Sequence, residues 1–312
     1  MPYSVRSPAV ADAEGICALM QACDIAAIGV PDTTFDDTRD WLGSPELDLA
    51  SDAWLWEDAG RAVAFAIAER QGESDLVDVN AYWLPEADVV VQQLWDRAEG
   101  RATEITHGLG HQKATLDTYI YRSDETKRAV ASGRGYAPAT SFYRMRIDHT
   151  GPIAAPALPE GVRIEVVGDN EALRRQSHNL LGESFVDHFG YAERSYEWRE
   201  EFYAASSTRG WDQARVMLVD GEPAAALNAS TEFVVDEDCG YVATLGVLAA
   251  YRGRGLGRAL LLDAFERDAA DGRAGTILHV DANNVTPALG LYESVGMRQV
   301  LIMDGWRRTI TL

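Results

Sequence analysis

Gly60 and Gly221 lie 161 residues apart, and so do Gly135 and Gly296, in a chain of 312 residues. One offset recurring at two distant places means that a single fold is present twice. The neighbourhoods of the glycines agree. Tyr3–Ser7 and Val162–Val166 both begin as strands ahead of helix-like runs. Trp54–Phe65 and Val216–Leu227 both read as hairpins around an acidic-glycine turn. Between the copies, Gly151–Pro159 has the Pro/Ala/Gly character of a connector. The expected division is a first domain at 1–150, a linker at 151–160 and a second domain at 161–312.

The second copy carries the chemistry. The apolar run Tyr241–Val247 leads into Arg252-Gly253-Arg254-Gly255-Leu256-Gly257-Arg258-Ala259 and then into a helix-like stretch. First-turn amides of a helix have no internal partner, and the helix dipole adds positive charge where they point. Glycines let an anion come close to the backbone, and three arginines can offset its charge, so the order strand, loop, helix builds a pyrophosphate site. The loop has no Gly-Lys-Ser/Thr and lacks the third glycine of a dinucleotide fingerprint.

With its flanking segment at 241–311, this loop resembles the acetyl-CoA-binding half of the GNAT-type N-acetyltransferase superfamily. There Arg/Gln-x-x-Gly-x-Gly/Ala is the pyrophosphate loop, matched by Arg252, Gly255 and Gly257. A second family element matches at Asn284–Met297. The resemblance implies an α/β fold (an α+β mixed sheet) in two tandem copies, with acetyl-CoA as co-substrate and a small-molecule primary amine as acceptor. It implies that the backbone of Leu245 and Val247 holds the pantetheine arm and that Asn284, or its neighbour Asn283, supplies a side-chain amide. Tyr292 would be the general acid for the departing thiolate, since a phenol near the sulfur can donate as the bond breaks.

The general base is open at this level. Glu232, on the strand pair before the motif, is one candidate. The segment Glu183–Tyr191 offers Asp187 and His188, which could also contact the acceptor. In tandem relatives with an inactive first half, a glutamate sits in the strand before the loop, about where Tyr241 stands here. The acidic run Asp236–Asp238 reads as a solvated hairpin tip.

The copies differ at the loop. Moved back by 161, it falls on Val91–Asp96, where there is no glycine and where Glu86 and Asp88 lie near the expected helix start. Such acids suit a helix N-terminus but oppose a bound pyrophosphate. The first copy is therefore expected to be a GNAT-like domain without a cofactor site, leaving one active site per chain.

The net charge of −21 disfavours nucleic acid and anionic membranes as partners. No apolar run reaches membrane-spanning length, and no signal-peptide pattern opens the chain. The three cysteines are not spaced as metal ligands, and the pair His107/His111 lacks companions, so no metal is expected. A cytoplasmic protein, monomer or homodimer, is the expectation. A non-catalytic acyl-CoA-binding regulator is the alternative function.

Overall fold

The computed structural model describes residues 3–283 and 288–312. The chain divides into two compact units, Met1–Ser141 with Met303–Leu312, and Phe142–Ile302.

The first unit contains β1 (Ser4–Arg6), α1 (Ala13–Ile28), α2 (Phe35–Leu42), α3 (Leu49–Asp52), β2 (Ala53–Asp58), β3 (Arg61–Arg70), β4 (Leu76–Trp83), α4 (Val91–Gly108), β5 (Lys113–Tyr121) and α5 (Glu125–Gly133). β1 to β4 pair antiparallel in chain order, and β4 pairs parallel with β5 over Leu76–Asp78. Alternation along the strands loads both faces. Trp56 packs with Trp95 of α4 in one core, while Leu55 and Phe65 pack with Ile16 and Leu19 of α1 in another.

β6 (Ala137–Asp148) runs from the first unit into the second. The second unit continues with β7 (Val162–Val166), α6 (Glu171–Phe185), α7 (Tyr196–Ala205), β8 (Ala214–Val219), β9 (Glu222–Ser230), α8 (Val234–Glu237), β10 (Cys239–Val247), α9 (Leu256–Ala270), β11 (Gly275–Asp281) and α10 (Ala288–Ser294). β7 to β10 are antiparallel in order, and β10 pairs parallel with β11 over Cys239–Val242. Met217 and Val219 join a core with Leu260, Leu261, Ala264 and Phe265 of α9, while Val216 and Leu218 face Leu180 and Leu181 of α6. The repeat is visible element by element: β2 and β8 start and end 161 residues apart.

Each unit is completed by the final strand of the other sequence copy. The sixth strand of the first unit comes from β12 (Arg298–Thr311), whose residues Met303–Thr311 pair with Tyr121–Lys113 of β5. The sixth strand of the second is the later part of β6, where Phe142–Asp148 pair with Asp281–Gly275 of β11. The compact units thus do not coincide with cuts at 150 and 161. Residues 151–160 contain no helix or strand, and Ile153 and Leu158 pack on the core of the second unit.

Candidate active site

β10 departs from regular pairing at a bulge between Val242 and Thr244. Up to Val242 it lies between β9 and β11; beyond the bulge it keeps β9, from Thr244 to Val247, and leaves β11. Backbone amides alternate between the two sides of a strand. Leu245 and Val247, two residues apart, therefore aim their amides to the same side. The gap between the diverging strands is the floor of a cleft of ≈ 580 Å³.

At one end of the cleft the chain turns through Arg252–Gly255 into α9. Gly253 and Gly255 have φ of +74° and +78°, which a Cβ would strain, and Gly255 is the N-cap of the helix. The cap has no side-chain acceptor and the first turn no acidic residue, so the leading amides stay available. Arg252 Nε donates to the carbonyl of Val247 at 3.0 Å, and Arg254 lies 5.6 Å from the Tyr251 ring centroid. Among the described residues no carboxylate forms an ion pair with Arg252, Arg254 or Arg258. Three exposed guanidiniums uncompensated at a helix start suit a polyphosphate. Arg252, Gly253, Gly255, Leu256, Gly257 and Arg258 line the cleft; Arg254 and Ala259 do not. Gly257 is close to two neighbours: a Cβ there would meet Leu291 Cδ2 at 3.4 Å and Val247 Cγ2 at 3.5 Å.

Tyr292, on α10, also lines the cleft and is 8% exposed. Burial pushes its phenol up to about 12, so it stays protonated and able to donate at neutral pH. Asn284 lies outside the described residues. Asn283 is exposed, its amide donating to Asp281 Oδ1 at 2.9 Å, while Asp281 itself lines the cleft.

His188 also lines the cleft, its ring 4.4 Å from that of Phe185. Burial is the main influence holding its imidazolium below the usual 6.5; Arg252 adds to this and Asp281 opposes it. Asp187 is exposed and is not part of the wall. Glu232 is also absent from the wall and pairs with Arg209 at 2.5 Å, which leaves it poorly suited to take a proton in the cleft. The run Asp236–Asp238 is not a free hairpin tip. It ends the short helix α8, and Glu237 pairs with Arg144 at 3.3 Å and Arg146 at 2.5 Å.

Three cleft residues were not legible as site residues. His279 reaches the wall from β11, with its Nδ1 2.9 Å from the Tyr241 hydroxyl and its Nε2 accepting from Arg144 Nε at 3.1 Å. Since Nε2 accepts, the neutral ring carries its proton on Nδ1. Tyr191 and Ser184 close the side formed by α6 and the loop after it. Alternating polar residues in a strand signal little by themselves; only the bulge and the splay bring them to the cleft.

Residues 178–297 match the model of the Acetyltransferase (GNAT) family. The matched residues lie within the second unit, and the order of elements there is repeated in the first. A mycothiol acetyltransferase of Thermobispora bispora is 33% identical over 189 residues, 57% of this chain and 61% of that relative. The chain therefore spans about three-fifths of the length of this relative. A GCN5-related N-acetyltransferase structure from Sphaerobacter thermophilus aligns over 100% of this chain and 96% of its own, at 24% identity and a TM-score of 0.81. A tandem GNAT protein from the clavulanic acid biosynthesis pathway aligns over 98% of both chains, at 16% identity and a TM-score of 0.71. Likeness at these identities speaks for the fold. Among the described residues no helix is long and apolar enough to cross a membrane, and no group of three or more His, Cys, Asp or Glu side chains could hold a metal.

Proposed function

We propose that the chain is an acetyl-CoA-dependent N-acetyltransferase that acetylates the primary amine of a small molecule by direct attack in a ternary complex. The observation that carries this reading is the splay of β10 from β11 opening a cleft lined by the glycine-arginine loop and by Tyr292. The residues present fit the co-substrate. Leading amides of α9, with Arg252 and Arg258, would hold its diphosphate, and the Leu245 and Val247 amides its amide-rich arm. When bound, acetyl-CoA supplies an activated thioester carbonyl.

The remaining steps fall to the chain. Tyr292, neutral at working pH, donates to the departing sulfur. His188, uncharged at neutral pH and with no hydrogen bond to its ring among the described residues, accepts the proton of the attacking amine, directly or through water. Both ring nitrogens of His279 are already engaged, which makes His188 the better acceptor. The first sequence copy has no part in holding the co-substrate: its β4–α4 connection has no glycine, and Glu86 there pairs with Arg61 at 2.7 Å. One active site per chain, in a cytoplasmic monomer or homodimer, completes the proposal.

Free CoA released from acetyl-CoA by the purified protein with a panel of amines, including the acceptor of the mycothiol acetyltransferases, tests it. Turnover with any amine supports it. Binding of acetyl-CoA without release of CoA for any of them would favour a regulator that only binds acyl-CoA.

A further inference from the structure

Besides the glycine-arginine loop, the cleft walls carry the half-buried rings of Phe142 from β6, Phe185 from the end of α6, and Phe189 and Tyr191 from the segment after it. The rings of Phe142 and Phe189 meet edge to face with centroids 6.2 Å apart, and that of Phe185 lies 4.4 Å from the His188 ring. None of these residues belongs to β10 or α9, the elements that would hold the co-substrate. Rings left half open in a concavity keep apolar surface in water until a ligand covers it, and such a lining marks a binding site.

One carboxylate joins these rings. Among the described residues lining the cleft, Asp281 is the only acid. Phe142 stands directly opposite it in the β6–β11 pairing, so the two side chains share a face of the sheet. The ring of His188, the residue before Phe189, lies in the field of Asp281. The Asn283 amide donates to Asp281 Oδ1 at 2.9 Å and orients the carboxylate, which has sites for further donors. Aromatic rings beside a carboxylate complement a ligand with an aromatic body and a cationic head: ring contacts take the body, and the carboxylate takes the ammonium. A carboxylate on the ligand would meet Asp281 as a like charge.

Building on the transferase reading, we infer that the acceptor is an arylalkylamine without a carboxylate, its ring held against Phe142 and Phe189 and its ammonium bound by Asp281. His188 then stands beside the ammonium to take the proton that must leave before attack. The net charge of −21 favours such a cation at long range and disfavours an anionic acceptor.

The test measures CoA release with 2-phenylethylamine, its truncated analogue ethylamine, its carboxylated analogue phenylalanine and the polar amine glucosamine. The full-length protein is compared with Phe142→Leu, Phe189→Leu and Asp281→Asn. For the wild type, kcat/KM with 2-phenylethylamine should exceed that with each of the others by at least about 10-fold, the effect of covering one ring. Phe142→Leu and Phe189→Leu keep apolar bulk and should raise KM for 2-phenylethylamine about 2- to 10-fold, with ethylamine little affected. Asp281→Asn should raise it about 10- to 100-fold, the range for loss of a charged hydrogen bond, and narrow the gap to phenylalanine. Acetyl-CoA affinity should be unchanged in all three. A wild-type kcat/KM equal or higher with any other amine, or a loss of acetyl-CoA affinity as large as the loss for the amine, would overturn the inference. Calorimetric binding of 2-phenylethylamine in the presence of CoA gives a readout independent of turnover: weaker binding to Asp281→Asn and Phe189→Leu than to the wild type supports the site, and equal or absent binding rejects it. No CoA release with any amine would reject the transferase reading on its own terms, and the calorimetry would still decide the site.

Discussion

Arg252 reaches back 3.0 Å to the carbonyl of Val247, tying the phosphate-type loop to the end of the strand it leaves. The two parts of the cleft that would hold the diphosphate and the amide-rich arm are thereby fixed relative to each other, and local changes here should have separable effects.

Gly257 is the sharpest probe of the loop. A Cβ at this position meets only ordinary van der Waals contacts at 3.4 and 3.5 Å, so Gly257→Ala should fold and largely keep acetyl-CoA affinity. Gly257→Glu adds charge and bulk on the cleft wall and should abolish binding by calorimetry while leaving the circular dichroism spectrum intact. Retained affinity in the Glu variant would remove the loop from the binding site.

Tyr292→Phe removes a donor and preserves the ring that packs on α9. It should lower kcat by roughly 10²- to 10⁴-fold with acetyl-CoA affinity nearly unchanged. Unchanged kcat in steady-state assays would show that another group serves the departing sulfur.

His188 gives the pH test. A base works when unprotonated, and burial lowers this imidazole below 6.5, so its contribution should be complete at neutral pH and lost as pH falls through that lowered value. His188→Gln should reduce kcat/KM by about 10²-fold and remove this acidic limb from the profile. The same limb in the variant would place the base elsewhere.

Gly246 tests the closeness of α6 to β10. A Cβ would stand 2.8 Å from Ser184 Cβ and 3.0 Å from Leu181 Cδ2. Gly246→Ala should cost about 1–3 kcal/mol in urea denaturation, because the helix must shift away from the strand. A midpoint equal to wild type would mean that the helix yields freely.

What the sequence disclosed follows from chain distance. The loop at 252–258 and Tyr292 belong to contiguous motifs, and the common offset of 161 residues announces the duplication. The pairing of Glu232 with Arg209, 23 residues away, was not legible, because an ion pair between loops leaves no local pattern. His279 and Tyr191 join the cleft only after strands and helices assemble. Strand pairing was equally hidden. An offset says that two segments are alike, and nothing in it says which copy of β11 or β5 each final strand will join.

That last feature binds the two copies in a way that duplication alone does not. Severing the chain within 151–160 would leave one fragment with five strands of the first unit plus a strand belonging to the second, and the other fragment in the reciprocal position. Neither gene half could be deleted, transplanted or expressed as a finished domain. The copy without a cofactor loop carries a strand that completes its neighbour's sheet.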